Sequence, residues 1–230
     1  MKSARKIKLP SVRDQVYDQL RKLILSGALT PGERINLNEL SGELGVSKTP
    51  LNEAIQKLLK EGLLTVKPRS GTFVSVLDLK EVEESFGFRE AVECGAAPII
   101  VDRVTDEEIA QIRATLEKMG ALLGQDGNPR RYDTFLRLDH QFHEEIVAAS
   151  GNPLILDHYR QVNTLLQVAR LKRRYFHSQY EGTHREHTAI FHALEARDAK
   201  ALATACRAHI KHAIKKLIEA SPDEDIPKSA

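Results

Sequence analysis

Tryptophan is absent from these 230 residues, and cysteine and methionine occur twice each. Cys94 and Cys206 are too few for a disulfide framework or a cysteine-only zinc site, so a reduced, cytoplasmic protein is the default expectation. Seven Phe and five Tyr argue against an aromatic-rich binding platform. No run approaches the eighteen or so apolar residues of a membrane span. Residues 1–10 carry Lys2, Arg5, Lys6 and Lys8 without an apolar stretch behind them, which does not read as a secretory signal. Charge of one sign is also scarce, at +2 net.

That small net charge hides an asymmetry. Residues 1–77 hold 13 Lys/Arg against 7 Asp/Glu, or +6; residues 78–230 hold 21 against 25, or −4. A basic small end joined to a mildly acidic larger one suits a chain of which one part meets a polyanion.

The basic end is densely punctuated. Ser11 is placed to cap a helix carrying Val12, Val16, Leu20, Leu23 and Ile24 at helical spacing, and Gly27 stops it. Thr30-Pro31-Gly32 is a turn. Residues 37–44 form a second, short helix with Leu37, Leu40 and Leu44 on one face, and Gly45-Val46-Ser47 is a tight connection. A third helix over 48–61 turns Leu51, Ile55, Leu58 and Leu59 inward and accepts Pro50 in its first turn. Two β-prone runs, 63–67 and 72–76, flank a basic hairpin tip at Pro68-Arg69-Ser70-Gly71. This is the order of a winged helix-turn-helix. Its third helix would offer Lys48, Thr49, Asn52 and Glu53 to a major groove. The rival reading is a small α+β domain with no ligand.

The run Gly27-Ala28-Leu29-Thr30-Pro31-Gly32, then residues 40–44, then Gly45-Val46-Ser47-Lys48-Thr49-Pro50-Leu51-Asn52-Glu53-Ala54, Glu61-Gly62-Leu63-Leu64 and Pro68-Arg69-Ser70-Gly71-Thr72-Phe73-Val74 resembles the GntR family of bacterial regulators. The resemblance implies a homodimeric repressor, less often an activator, that reads a short pseudo-palindromic operator in double-stranded DNA. It places Asn38, Lys48, Thr49, Asn52, Arg69 and Gly71 at the DNA. The family usually has Arg where this chain has Lys48 and Asn52, and some relatives have one at Asn38. Arg is the fork for guanine, whereas Asn suits adenine or a phosphate, so the operator cannot be borrowed from relatives.

Residues 78–220 read as six helices joined by short loops, an antiparallel bundle, so the fold class is mainly α. The first runs over 78–101 with Val82, Phe86, Arg89, Val92 and Cys94 in its periodic pattern and a kink or break at Pro98. Thr105-Asp106-Glu107-Glu108 is a capping box that opens the second. The others cover 130–150, 154–176, 182–196 and 199–220. Residues 221–230 should be a frayed tail.

Polar residues stand on faces of this bundle that should be apolar. Asp139 and His143 are four apart among Phe135, Leu136, Phe142 and Ile146. His187 lies with Ile190, Phe191 and Leu194, and His209 with Leu202, Cys206, Ala213 and Leu217. The last two helices turn near Arg197-Asp198. His187 is eleven residues before Asp198 and His209 eleven after, so the two imidazoles lie level across the hairpin. One carboxylate and three imidazoles suit a divalent metal, Zn, Ni, Mn or Fe(II), with positions left open. A plain hydrogen-bonded core cluster is the alternative. His184 and His212, fourteen residues either side of Asp198, are a rival pair, but His212 sits among lysines. His140, His158, His177 and His192 read as surface or packing residues.

Phe86-Gly87-Phe88-Arg89-Glu90-Ala91-Val92-Glu93, Leu138-Asp139-His140-Gln141-Phe142-His143, Ser150-Gly151-Asn152-Pro153, Glu186-His187-Thr188-Ala189-Ile190 and Arg207-Ala208-His209-Ile210 are similar to the helical effector domain of the FadR subfamily, called FCD. The resemblance implies a metal on Asp139, His143, His187 and His209, with a small carboxylate effector beside it and Arg89 on the effector's carboxylate. An i,i+4 ion pair with Glu93, worth little, competes for Arg89. The expected function is a metabolite-responsive regulator in which metal and carboxylate shift the bundle and alter the spacing of the two wings. Metal affinity should then fall in mild acid as the histidines protonate. The other class is a metal-dependent enzyme fused to a DNA-binding domain. That reading needs a spare general base, and Glu144 and Glu186, though adjacent to ligands, are expected to point elsewhere.

Overall fold

The structure is a computed structural model that describes residues 11–172 and 180–219, without the side chains of 170–172 and 218–219. The basic residues before Ser11, His177, the end of the helix expected to reach 176 and the expected tail at 221–230 lie outside the described residues. The chain divides into two compact units between Val76 and Leu77.

In the first unit, α1 (Val12–Leu25) starts where Ser11 Oγ accepts the amide of Asp14 at 3.2 Å. Val16, Leu20 and Ile24 are its buried stripe. Val12, expected inward, is 52% exposed. Asn36 caps α2 (Leu37–Glu43), and Gly45 at φ +62° makes the bend to α3 (Lys48–Lys60), which buries Leu51, Ala54, Ile55 and Leu58. Gly pays little for that left-handed conformation, so two helices can meet across so short a turn. The hairpin is β2 (Leu64–Lys67) with β3 (Gly71–Val74), antiparallel, Val66 opposite Thr72 and Lys67 opposite Gly71. The sequence pattern does not show β1 (Arg34–Ile35), a two-residue strand on the far side of β3. It is too short for alternation to register.

The second unit holds seven helices among the described residues, one more than expected. The first expected helix is two: α4 (Leu79–Gly95) and α5 (Ala97–Arg103). Pro98 does not kink a long helix. It stands in the first turn of α5, where no N–H is required, so the break falls at Ala96. The expected capping box is present, with Thr105 and Glu108 reciprocally bonded at the start of α6 (Asp106–Leu122). Asp78 and Glu81 make a second one at α4. Then come α7 (Tyr132–Ala148), α8 (Pro153–Lys172), α9 (Tyr180–Glu195) and α10 (Ala199–Glu219). α10 packs on α4, α5 and α9; α7 packs on α6 and α8; α4 packs on α8. Apolar clusters around Ile100, Phe142 and Leu194, and around Val82, Phe86 and Leu166, form the core.

Candidate metal centre and nucleic-acid interface

The buried stripe of α4 is Val82, Phe86, Arg89 and Glu93. Position 93, not Val92, completes the helical spacing, so an ion pair lies in the core. Arg89 Nε donates to Glu93 Oε1 at 2.7 Å, with side chains 0% and 1% exposed. The expected pair therefore exists, but not as the weak surface contact worth about 0.3–0.5 kcal/mol. Tyr159 of α8 donates to the same oxygen at 2.8 Å. Arg89 Nη1 and Nη2 are buried with no hydrogen-bond partner among the described residues. Unmade hydrogen bonds of this kind cost about 1–3 kcal/mol each, so an anion or ordered water belongs there.

Glu93 Oε2 accepts from His143 Nδ1 at 3.0 Å. α7 brings Asp139 and His143 to this point, one turn apart and both buried. α9 and α10 bring His187 and His209 level, as the count from Asp198 requires, with ring centroids 4.5 Å apart. His143 Nε2 is 3.2 Å from His187 Nε2 and 3.1 Å from His209 Nε2; His187 Nε2 is 3.3 Å from Asp139 Oδ1. One ligand atom from each of the four residues fits within 4.8 Å. Two ligands about 2.0–2.1 Å from one ion, at angles between octahedral and tetrahedral, stand about 2.8–3.4 Å apart.

The tautomers test whether an ion fits. His209 Nδ1 lies 2.9 Å from Glu186 Oε2. A carboxylate only accepts, so the Nδ1 atoms of His143 and His209 carry the protons and their Nε2 atoms carry lone pairs. Burial pushes His143 down to about 4 despite Glu93, and burial followed by His187 pushes His209 down to about 3. Neither is an imidazolium near neutral pH. Two lone pairs therefore face each other at 3.1 Å, an arrangement that only a shared electrophile makes favourable. The donor set fits a divalent metal.

Glu186 is not where the sequence suggests. Although it precedes inward-facing His187, it reaches across the helical hairpin to His209, and its second oxygen accepts from His212 Nδ1 at 2.9 Å. Burial raises its carboxyl, but His209, His212 and Lys216 outweigh that and bring it to about 2. Glu144 does point elsewhere, to Arg160 at 2.6 Å and His140 at 3.4 Å. Glu145 holds Gln111, Thr115 and Gln141. Each of these carboxylates is committed, so none is a spare general base. The rival pair does not form a centre: His212 is 61% exposed, and His184 packs over Gly120, where an added Cβ would lie 2.8 Å from its Nε2. His158 and His192 are exposed. Sequence reasoning missed Glu93, Tyr159 and Glu186 as parts of the site. Only the α4 spacing of 82, 86, 89 and 93 carried a signal.

In the first unit Asn38, Lys48, Thr49, Asn52, Glu53 and Arg69 are all exposed, and Gly71 is half-buried. Lys48, Thr49 and Asn52 share the first turns of α3, whose Ser47 side chain makes no capping bond. The first amides there are left for another acceptor. Arg69 holds φ +60° at the hairpin tip, in a turn closed by Ser70 N donating to Lys67 O at 3.0 Å. A turn with Pro68 second and a positive φ third favours Gly at the third place. An arginine kept there under strain points to use of its charge. Gly71 at φ +118° leaves room for a basic neighbour that the sequence did not single out: its Cβ would lie 3.2 Å from Arg34 Nε.

The profile of the bacterial regulatory proteins of the gntR family matches residues 12–74, and that of the FCD domain matches residues 84–212. The chain is 31% identical to the uncharacterized HTH-type transcriptional regulator YdhC of Bacillus subtilis strain 168, over 86% of this chain and 87% of that protein. It is 26% identical to the HTH-type transcriptional repressor RspR of Escherichia coli K12, over 87% and 86%. Its fold matches the solved structure of E. coli McbR/YncC with a TM-score of 0.78, covering 92% of this chain and 99% of that one at 22% identity.

Proposed function

The chain belongs to the GntR family of bacterial regulatory proteins, a DNA-binding transcriptional regulator with an FCD domain, and on that premise we propose a homodimeric repressor whose grip on a pseudo-palindromic operator is set by a small carboxylate bound beside a divalent metal. Family and relatives are those of a regulator, not of an enzyme. No described helix is long and apolar enough to cross a membrane.

One observation carries the effector reading. A fully buried guanidinium has two nitrogens with no hydrogen-bond partner among the described residues, and Glu93 ties it to a ligand of the proposed metal. Asp139, His143, His187 and His209 would hold the ion. When bound, it supplies a Lewis-acidic charge with open positions for carboxylate oxygens. Arg89 would take a carboxylate through Nη1 and Nη2, a bidentate contact. Arg69, and Arg34 beside Gly71, would meet the DNA backbone, and Asn38 a phosphate. Lys48, Thr49 and Asn52 would meet base edges, and Gly71 keeps the wing slim. The name of RspR supports repression, and two-fold symmetry pairs half-sites naturally.

The test is elemental analysis of protein purified without a tag, then thermal-shift screening of the metal-loaded protein against small carboxylates, and operator binding with any hit. A retained divalent ion, a carboxylate that raises apparent stability, and weaker operator binding in its presence support the reading. Metal-free protein that no added ion stabilises would overturn it. In the same binding assay, Lys48→Ala and Asn52→Ala should weaken operator binding and alter base preference, while Arg69→Ala weakens it on any sequence.

A further inference from the structure

Each of the three central imidazoles turns its Nδ1 away from the others, and the three outward nitrogens differ in what they meet. That of His143 meets Glu93, which Arg89 and Tyr159 already hold inside the core. That of His187 is buried and has no partner among the described residues. That of His209 meets Glu186, whose side chain is 23% exposed and whose other oxygen is held by solvent-facing His212. Lys216, a helical turn further along α10, donates to Thr183 Oγ1 at 3.2 Å beside it. A continuous hydrogen-bonded line thus runs from a central imidazole to the surface.

We propose that Glu186 is a positioning residue of the metal centre, holding His209 as an Nε2 ligand and making the centre's grip on the ion adjustable from the surface through His212. The inference rests on the metal reading above. A carboxylate that accepts the far N–H of a ligand imidazole fixes its tautomer and ring orientation and makes the ligating nitrogen more basic. Glu93 has the same relation to His143, but its loss would strand the charge of Arg89 in the core. Loss of Glu186 strands no buried charge. It also leaves the four ligand residues in place, so it isolates the support from the ligands.

The experiment is chelator competition for Co2+ with the full-length protein, reading affinity and the visible spectrum of the bound ion. Glu186→Ala should bind Co2+ about 10–100-fold more weakly with shifted absorption bands. Glu186→Gln, which keeps an accepting oxygen, should restore the bands and most of the affinity. His212→Ala should show a smaller loss in the same direction. Because Glu186 acts through His209, adding Glu186→Ala to a His209→Ala protein should cost nothing further. Unchanged affinity and spectrum in Glu186→Ala would overturn the inference while leaving the metal reading intact. So would an equal loss in the His209→Ala background. Wild-type protein that takes up no Co2+ would sink both.

Discussion

The two units place their polar chemistry on opposite sides of their surfaces. In the first, the residues assigned to DNA are exposed and the core beneath them is apolar. In the second, Arg89, Glu93, Asp139, His143, His187 and His209 are buried side chains. All nine histidines belong to the second unit. An exposed set can be changed with little consequence for folding, since its side chains keep their hydration. A buried set is bound to stability, because each member removed leaves its neighbours unsatisfied.

The largest expected effect is a loss of function without loss of fold. His187→Ala and His209→Ala should bind metal too weakly to retain it through purification and should lose the response to a carboxylate, and leave the affinity for the operator nearly unchanged. His184→Ala should do neither. Elemental analysis together with fluorescence anisotropy on operator DNA reads both quantities. Metal retained by His187→Ala and lost by His184→Ala would move the ligand set to its rival.

Next is stability. Arg89→Met leaves Glu93 without its counter-charge in the core and should cost about 3–5 kcal/mol in the transition of the second unit. Lys48→Ala should change stability by less than about 0.5 kcal/mol. Urea denaturation of the metal-free proteins compares them. Equal stabilities would mean that the buried pair is not formed, and the contrast between the units would collapse.

The pH response should divide the units as well. His143 and His209 are lowered from the ordinary 6.5 to about 4 and about 3, so below pH 6.5 the unfolded chain binds more protons than the folded one. Stability from these groups is fully present above about pH 6.5 and is lost as pH falls toward 3. Glu186, lowered from 4.5 to about 2, acts in the same direction below pH 4.5. The melting temperature of metal-free protein should be level above pH 6.5 and decline below it. A melting temperature that rises on acidification would show charged imidazoles in the core.

The smallest effect is at the hairpin tip. Arg69→Gly relieves a left-handed arginine and should raise stability by about 0.5–1 kcal/mol. It should also reduce the salt slope of DNA binding by about 1 through loss of a phosphate contact. An unchanged salt slope would remove Arg69 from the interface.

Much of this was legible because helices are periodic. Asp139 with His143, and the equal count about Asp198, both follow from 3.6 residues per turn. The order of the winged unit followed from its turn residues. Polarity alone concealed the rest. Arg89 and Glu93, four apart and oppositely charged, have the charge pattern of a solvated helix face; their spacing with Val82 and Phe86 is the one hint of burial, and packing against α8 and α10 accounts for it. Glu186 adjoins an inward residue, so helical geometry sends it aside. What the sequence does not state is that aside, on α9, means toward α10. β1 is two residues held by its partner strand, with no pattern of its own.

The turn between α9 and α10 lies eleven residues, about 16 Å of helix, from the imidazoles it aligns. It has little slack: Arg197 adopts φ +52°, Asp198 N donates to Ala193 O, and the Asp198 side chain accepts the amide of Ala201. Residues 196–198 are exposed, and substituting their side chains would cost the contacts of Arg197 and Asp198 yet leave the two imidazoles level. These residues would not tolerate a change of number. Deleting one residue would turn every later position of α10 by about 100° and carry His209 off the shared face. The length of this surface loop is thus as much a determinant of the buried cluster as the identity of any proposed ligand, and a gap there in a related chain would mark loss of the cluster even where all four residues proposed as ligands remain.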